Sequence, residues 1–261
     1  MILDRLAASA RKRVEEKKRR RPLTELQREA EAMEKNTGFP FRQALEAEGI
    51  SFICEVKKAS PSKGIIAEQF PYLEIAEDYQ AAGAAAISVL TEPEYFLGQD
   101  RYLEEIARQA ALPVLRKDFT VDPYQIYEAK VLGASAVLLI CSILSLEQLK
   151  EYLKLARGLG LSALVETHDS REIDLALEAG AGIIGVNNRN LQDFQEDVSN
   201  SLRLRELIPP GVLYVSESGV RTRRDVEILE QNGTDGVLIG ETLMRSPDRQ
   251  RTLRELKGGA G

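Results

Sequence analysis

The run Ala82-Gly83-Ala84-Ala85-Ala86-Ile87-Ser88-Val89-Leu90 decides the fold. A helical segment ends on a glycine, a small residue follows, and an apolar strand-like run begins at once. The same order returns at Leu132-Gly133-Ala134 before residues 136–140, at Ala179-Gly180-Ala181 before residues 183–187 and at Asn232-Gly233-Thr234 before residues 236–239, at intervals of 50, 47 and 53 residues. A glycine just past a helix is the usual left-handed cap, so each marks a helix-to-strand junction. Midway between them lie further strands at 113–116, 162–166 and 212–216, and residues 51–57 complete a set of eight, roughly 25 residues apart. Runs rich in Val, Ile and Leu that alternate with helices read as buried parallel strands. Eight such units predict an α/β fold of the (β/α)8 TIM-barrel type, with scaffold helices over 68–82, 101–109, 123–132, 146–159, 170–179, 199–207, 222–231 and 248–256. An open doubly wound sheet is the alternative, but no G-x-G-x-x-G follows the first strand.

Upstream of the barrel, Ile2, Leu3, Leu6, Ala10 and Val14 recur at helical spacing. Nine Lys/Arg against three carboxylates in residues 1–21 make this segment basic, in a chain of net charge −6. A basic arm on an acidic body suggests nucleic acid, but one apolar stripe laid on the body explains the segment with less. Pro22 ends the helix, Thr24 is read as the cap of a second one through Met33, and a break at 38–40 precedes a third at 41–48. Residues 1–49 are thus read as a helical extension of a barrel spanning 50–261, the two forming one structural domain. The composition, 43% hydrophobic and 29% charged, is that of a soluble globular protein. The longest apolar runs are too short to span a bilayer, and charge from Asp4 onward argues against a secretory signal, which places the protein in the cytoplasm without a membrane partner. Cys54, Cys141 and the single histidine, His168, show no metal-ligand spacing, so no structural metal is expected.

Function in a barrel of this kind collects at the C-terminal ends of the strands. In Ile53-Cys54-Glu55-Val56-Lys57 the alternation of a strand puts Glu55 and Lys57 on one face with Ile53, a costly placement unless the two charges are paired or used. The third strand ends at Lys117-Asp118-Phe119, the fifth at Glu166, the sixth at Asn187-Asn188-Arg189, the seventh at Glu217-Ser218-Gly219 and the eighth at Gly240-Glu241. Any one of these could be a satisfied charge or a helix cap; six converging on one mouth read as a site. Gly219 and Gly240, with a helical turn at 241–244, suit close approach of backbone N–H groups to a phosphate. Lys57 and Lys117 could each serve the phosphate or proton transfer, and a lysine confined beside another cation is expected to have a lowered pKa. Glu166 is the natural opposite partner, and Arg189 offers a fork for a carboxylate. The mouth therefore asks for a small-molecule substrate carrying both a phosphate and a carboxylate.

The stretch from Phe52 to Ser62, with Leu115-Arg116-Lys117-Asp118-Phe119, Leu164-Val165-Glu166, Gly185-Val186-Asn187-Asn188-Arg189, Ser216-Glu217-Ser218-Gly219 and Leu238-Ile239-Gly240-Glu241, resembles indole-3-glycerol-phosphate synthase of tryptophan biosynthesis. The likeness runs from the N-terminal helices, which cap the barrel mouth in that family, to the last strand. It implies a carbon–carbon lyase that converts 1-(2-carboxyphenylamino)-1-deoxyribulose 5-phosphate into indole-3-glycerol phosphate, carbon dioxide and water, with no metal or organic cofactor. By the same resemblance Lys117 is the general acid of ring closure, and Glu166 and Lys57 serve the dehydration. Glu55 holds Lys57, while Asn187 and Arg189 orient the anthranilate end near Ser60. Phe96, Phe119 and Leu191 supply an apolar wall, and Ser218, Gly219, Gly240 and Glu241 match the phosphate positions. Glu217 joins the binding residues and Ser218 the catalytic set. Glu241 could serve only through its backbone N–H, since its carboxylate would repel the phosphate.

Three rival readings are a sugar-phosphate isomerase, a nucleic-acid binder using the basic arm, and a ligand-binding barrel without turnover. The loop at 60–68, with Pro61 and Gly64, is a candidate lid. A monomer or weak homodimer is expected.

Overall fold

Eight parallel strands close on themselves: β1 (Ser51–Val56), β2 (Ala86–Leu90), β3 (Val114–Lys117), β4 (Ala136–Ile140), β5 (Ser162–Thr167), β6 (Ile183–Asn187), β7 (Leu213–Glu217) and β8 (Gly236–Ile239). Each pairs with the next in sequence, and β8 returns to β1 with Gly236 beside Ser51. These are the contacts of a computed structural model that describes residues 2–190 and 195–259. The four junction glycines lie in the left-handed region, with φ of 80° at Gly83, 86° at Gly133, 87° at Gly180 and 76° at Gly233, which is why the chain can leave a helix and enter a strand within two or three residues.

Both faces of the strands are covered, so their apolar runs are nearly continuous. Phe52, Cys54 and Val56 of β1 face the surrounding helices, while Ile53 faces the barrel axis together with Leu115, Leu164 and Val215. These four come from β1, β3, β5 and β7, the alternate-strand layering that fills barrels of this type. Two residues further along each of the same strands stand Glu55, Lys117, Glu166 and Glu217. Strand alternation thus stacks a layer of ionisable side chains directly on an apolar one.

The outer helices are α4 (Tyr72–Ala81), α5 (Asp100–Gln109), α6 (Pro123–Val131), α7 (Leu146–Gly158), α8 (Ser170–Ala179), α9 (Ser199–Leu204), α10 (Arg223–Gln231), α11 (Glu241–Met244) and α12 (Arg249–Leu256), preceded by α1 (Ile2–Arg20), α2 (Leu23–Ala32) and α3 (Pro40–Leu45). Several starts differ from the sequence reading. Pro71, outside the helix, sets the start of α4, so residues 68–70 are not helical. Thr24 is not a cap: α2 begins one residue earlier behind Pro22, with no side-chain cap bond. Thr222 and Asp248, read as helical, are instead the caps of α10 and α12, each accepting the N–H three residues on.

The N-terminal helices occupy three places. Ile2, Leu3 and Leu6 of α1 reach the barrel mouth, and Ala7 and Ala10 pack on Val121, Phe119 and Ile143. Helix α2 lies against α6. Helix α3 closes the opposite end: Phe41 and Leu45 join the axial core, and Arg42 donates to the carbonyls of Gly182 and Gly211 just before β6 and β7. No helix among the described residues is long and apolar enough to cross a membrane.

Candidate active site

Lys117 is the hub. Its Nζ donates to Glu166 Oε2 at 2.9 Å and stands 3.3 Å from Glu217 Oε2, joining β3, β5 and β7 across the barrel. Glu166 Oε1 accepts from Asn187 Nδ2 at 3.2 Å, so its orientation is fixed from β6 as well. Burial alone would push the Lys117 ammonium down, but Glu166, Glu217 and Glu55 together overcome it and hold Lys117 well above the ordinary lysine value. The sequence expectation of a lowered lysine pKa is therefore wrong for Lys117. It assumed that the nearest charge was another cation, whereas the strands bring carboxylates to it.

The two carboxylates sharing Lys117 are pushed apart. Burial favours protonation of both, yet Lys117, then His168 and Asn187, bring Glu166 down to about 2. Glu217 has only the longer contact to Lys117, faces ionised Glu166, and leaves Oε1 buried without a hydrogen bond; burial takes it up to about 7. Sharing one lysine thus divides the two carboxylates, with Glu166 held as the anion and Glu217 biased toward its neutral form. Glu217 is packed tightly as well, since a Cβ on Gly185 of the neighbouring strand would lie 2.1 Å from its Oε1.

Beside the hub, Lys57 Nζ donates to Glu55 Oε1 at 2.5 Å, which pairs the two charges of the first strand. Burial works against the Glu55 anion, but Lys57 and Lys117 prevail and hold it below the usual carboxylate range. Gly240 backs this pair: a Cβ there would meet Glu55 Oε1 at 2.5 Å and Lys57 Nζ at 2.9 Å, so a side chain would displace both.

Two cavities meet here. One of about 370 Å³ is lined by Ser218, Gly219, Gly240 and Glu241, with Lys57, Lys63, Arg189, Arg221 and Arg245 against Glu55, Glu196 and Glu241. Five cations to three carboxylates, with the backbone of two glycine-bearing loops, suit a dianion. Ser218 and Gly219 are consecutive left-handed residues, φ 65° and 84°, a strained turn for the serine. Asn188 secures it by donating to the Ser218 carbonyl and the Ser216 hydroxyl, and Thr242 ties the two loops by donating to the Val220 carbonyl. The Glu241 carboxylate borders the same cavity, paired with Arg245 at 3.0 Å and lying 3.6 Å from Lys63 and 3.8 Å from Arg189.

The second cavity, about 120 Å³, contains Lys117, Glu166, Asn187 and Glu217 on its floor, with Phe96, Phe119, Leu138 and Ile2, Leu3 and Leu6 of α1 as apolar walls. The two phenylalanine rings stand 6.1 Å apart between centroids, tilted at 44°. Buried Glu92 orders the loop of Phe96 by accepting the N–H groups of Glu94, Tyr95 and Phe96. Phe119 is fixed through Asp118, which accepts its N–H and is gripped by Thr91 at 2.7 Å and by Arg13 of α1 at 2.9 Å.

Of the residues singled out from the sequence, Ser60 lies beside rather than on the two cavities, within a short antiparallel ladder at 59–65, its hydroxyl 3.4 Å from that of Ser62. Arg189 borders both cavities, with its fork engaged by Glu196 and by the Ser62 hydroxyl. Leu191 is outside the described residues. The sequence reading missed Lys63, Arg221 and Arg245 around the anion cavity and the Arg13–Asp118 clamp. Arg245, one helical turn from Glu241, was the one with a local signal. Among the described residues no cluster of His, Cys, Asp and Glu is arranged to hold a metal ion.

A closed parallel barrel with a buried cluster of ionisable side chains and a basic cavity at the C-terminal ends of its strands defines a TIM-barrel enzyme. The solved 3-hexulose-6-phosphate synthase of Salmonella typhimurium shares this fold with a TM-score of 0.66, covering 80% of this chain and 97% of that one at 13% identity. Sequence relatives are far nearer. The indole-3-glycerol phosphate synthase of Ruminiclostridium cellulolyticum is 55% identical over the full length of both chains, and that of Endomicrobium trichonymphae is 54% identical over 98% of this chain and all of its own. The family model for indole-3-glycerol phosphate synthase matches residues 3–256, and the chain belongs to that family.

Proposed function

We propose that the barrel mouth closes an indole ring with Lys117 as the proton donor and Glu166 as the base. As an indole-3-glycerol phosphate synthase, the chain converts 1-(2-carboxyphenylamino)-1-deoxyribulose 5-phosphate to indole-3-glycerol phosphate in tryptophan biosynthesis. The observation that carries the residue roles is the Lys117–Glu166–Glu217 triad beneath an apolar aromatic wall, next to a cavity with excess positive charge. The aromatic carbon attacks the ketone, and the oxygen takes a proton from Lys117. Carbon dioxide then leaves with its bonding electrons returned to the ring. In the last step Glu166 removes a proton while Lys57, held by Glu55, protonates the departing hydroxyl as water.

Holding Lys117 charged ensures that the acid begins in the right state. Its transfer of a proton to substrate in turn frees Glu166 from the cation that suppresses its basicity, so the acid step prepares the base step. Phe96, Phe119 and the N-terminal turn of α1 enclose the anthranilate ring, and Asn187 and Arg189 orient its carboxylate. Ser218, Gly219, Gly240 and the Glu241 N–H receive the phosphate, with Lys63 and Arg245 as further counter-charges. Residues 1–49 act as part of the barrel domain, and the enzyme works in the cytoplasm as a monomer or weak homodimer.

Formation of indole-3-glycerol phosphate, followed by fluorescence, tests this reading. Turnover is expected to be unchanged by EDTA and lost in Lys117→Ala and Glu166→Gln. Wild-type turnover in either variant would overturn the assignment. An inactive but folded wild-type chain that isomerises an aminoaldose phosphate would move the reading to an isomerase.

A further inference from the structure

His168, the one histidine of the chain, has no part in the roles above, yet it stands two residues beyond Glu166, just past the end of β5. It is gripped from the α8 side. Nδ1 lies 3.0 Å from Glu172 Oε2, the same oxygen accepts the His168 backbone N–H at 2.8 Å, and the Ser142 hydroxyl donates to Glu172 Oε1. An ionised carboxylate only accepts, so Nδ1 carries a proton. Nε2 points inward, 3.5 Å from Glu166 Oε1, buried and without a hydrogen bond. A neutral ring would therefore turn the Nε2 lone pair toward a carboxylate, whereas an imidazolium turns an N–H toward it.

The surroundings favour the imidazolium. Glu166 and Glu217 face the ring from the mouth, and Glu172 and Asp169 from the side of α8. Asp4 and Asp197 border the adjoining cavity, with Arg189 and Arg203 as its cations. Burial opposes the charged ring, but Glu172 and Glu166 outweigh it and raise His168 above its ordinary value.

We propose that His168 is a positioning residue for Glu166: clamped by Glu172, its imidazolium keeps the Glu166 carboxylate oriented and ionised while Lys117 turns from Glu166 to the substrate. This rests on the roles of Lys117 and Glu166 given above. Glu166 is otherwise left at that moment with Asn187 alone, a neutral partner at 3.2 Å.

Because the chain has a single histidine, its imidazole C–H resonance in an NMR titration belongs to His168 without assignment. The midpoint is expected above the ordinary value of about 6.5, and to fall by about one pH unit or more in Glu166→Gln and in Glu172→Gln. In kinetics, His168→Gln is expected to lower kcat about tenfold with KM within twofold, and to move the acidic limb of the kcat/KM profile upward by about one pH unit, Glu166 having lost a cation. Glu172→Gln keeps the ring and is expected to move that limb the same way, which covers the case of a His168 variant that folds poorly. A midpoint at or below about 6.5 that Glu166→Gln leaves in place, or an acidic limb superimposable on wild type in both variants, overturns the proposal. An active Glu166→Gln enzyme would instead bring down the underlying base assignment.

Discussion

Replacing Glu217 by glutamine is expected to make the protein more stable, and increasingly so as pH rises. The carboxylate is almost wholly buried, with side-chain exposure of 1%, and is held up to about 7 against an ordinary 4.5, by burial first and by Glu166 next, with Lys117 opposing. Below pH 4.5 the group is protonated in folded and unfolded chains alike. Between 4.5 and 7 the unfolded chain ionises freely while the folded one resists, so stability is lost over that window, and above 7 the loss is complete. At ~1.4 kcal/mol per pH unit the ceiling is about 3.5 kcal/mol, reduced in practice because Glu166 and Glu217 titrate as a pair around one lysine. Glu217→Gln stays neutral throughout. Its unfolding free energy in urea, minus that of wild type, should therefore grow by about 2 to 3 kcal/mol from pH 5 to pH 8. Turnover should fall, since the site loses the carboxylate that shares Lys117. A difference that stays flat across this range, or shrinks toward pH 8, would refute the placement of a strained carboxylate beside Lys117.

Gly185→Ala should force Glu217 off Lys117, because the new methyl falls 2.1 Å from Glu217 Oε1 and 3.2 Å from Leu164 Cδ1. A loss of about 1–3 kcal/mol and up to about 10²-fold in kcat is expected, with Gly158→Ala, whose methyl meets nothing within 4 Å, as the control in the same melts and assays. Lys117→Met should leave KM near wild type and reduce kcat at least about 10²-fold, read by single-turnover product fluorescence. Arg13→Ala should cost about 2 kcal/mol, less than a fully orphaned buried charge because Thr91 and Arg116 still hold Asp118. Asp118 is set below the usual carboxylate range by Arg13 and Arg116 against burial, a stabilisation present above about pH 4 and lost as pH falls. The Arg13→Ala deficit should accordingly narrow in acid melts.

The barrel was legible because its punctuation is local. Gly83, Gly133, Gly180 and Gly233 each mark a turn that L side chains avoid, and the strand runs between them are too short and too β-branched for alternatives. The mouth was legible for the same reason: once a strand is placed, period 2 assigns Glu55, Glu166 and Glu217 to its inner face. What escaped was long-range. Arg13 and Asp118 are 105 positions apart, and nothing within α1 distinguishes Arg13 from the other cations of its basic segment. An amphipathic stripe says that a helix lies on something, not on which end of the barrel, which is why α3 turned up beneath the strands. Thr24 was read as a cap from its residue type, although Pro22 already fixes the backbone for a helix starting at Leu23.

The layer of Glu55, Lys117, Glu166 and Glu217 sits where other turns of the same strands place Ile53, Leu115, Leu164 and Val215. Four more aliphatic residues would suit the packing and remove every desolvation cost, since buried ion clusters are commonly no more stable than hydrophobic replacements. The charges are thus held against the interest of the fold, and the fold restrains them at every side: Asn187 and His168 on Glu166, Gly185 against Glu217, Gly240 behind Glu55 and Lys57. Asn187 and Gly185 belong to β6, while His168 and Gly240 stand one residue beyond the ends of β5 and β8. Lys117 and Glu166, 2.9 Å apart, form an ion pair in which the more basic lysine keeps the proton. Glu217 and Glu55 reinforce that order, and under the proposed roles only a substrate that draws Lys117 away from Glu166 reverses it.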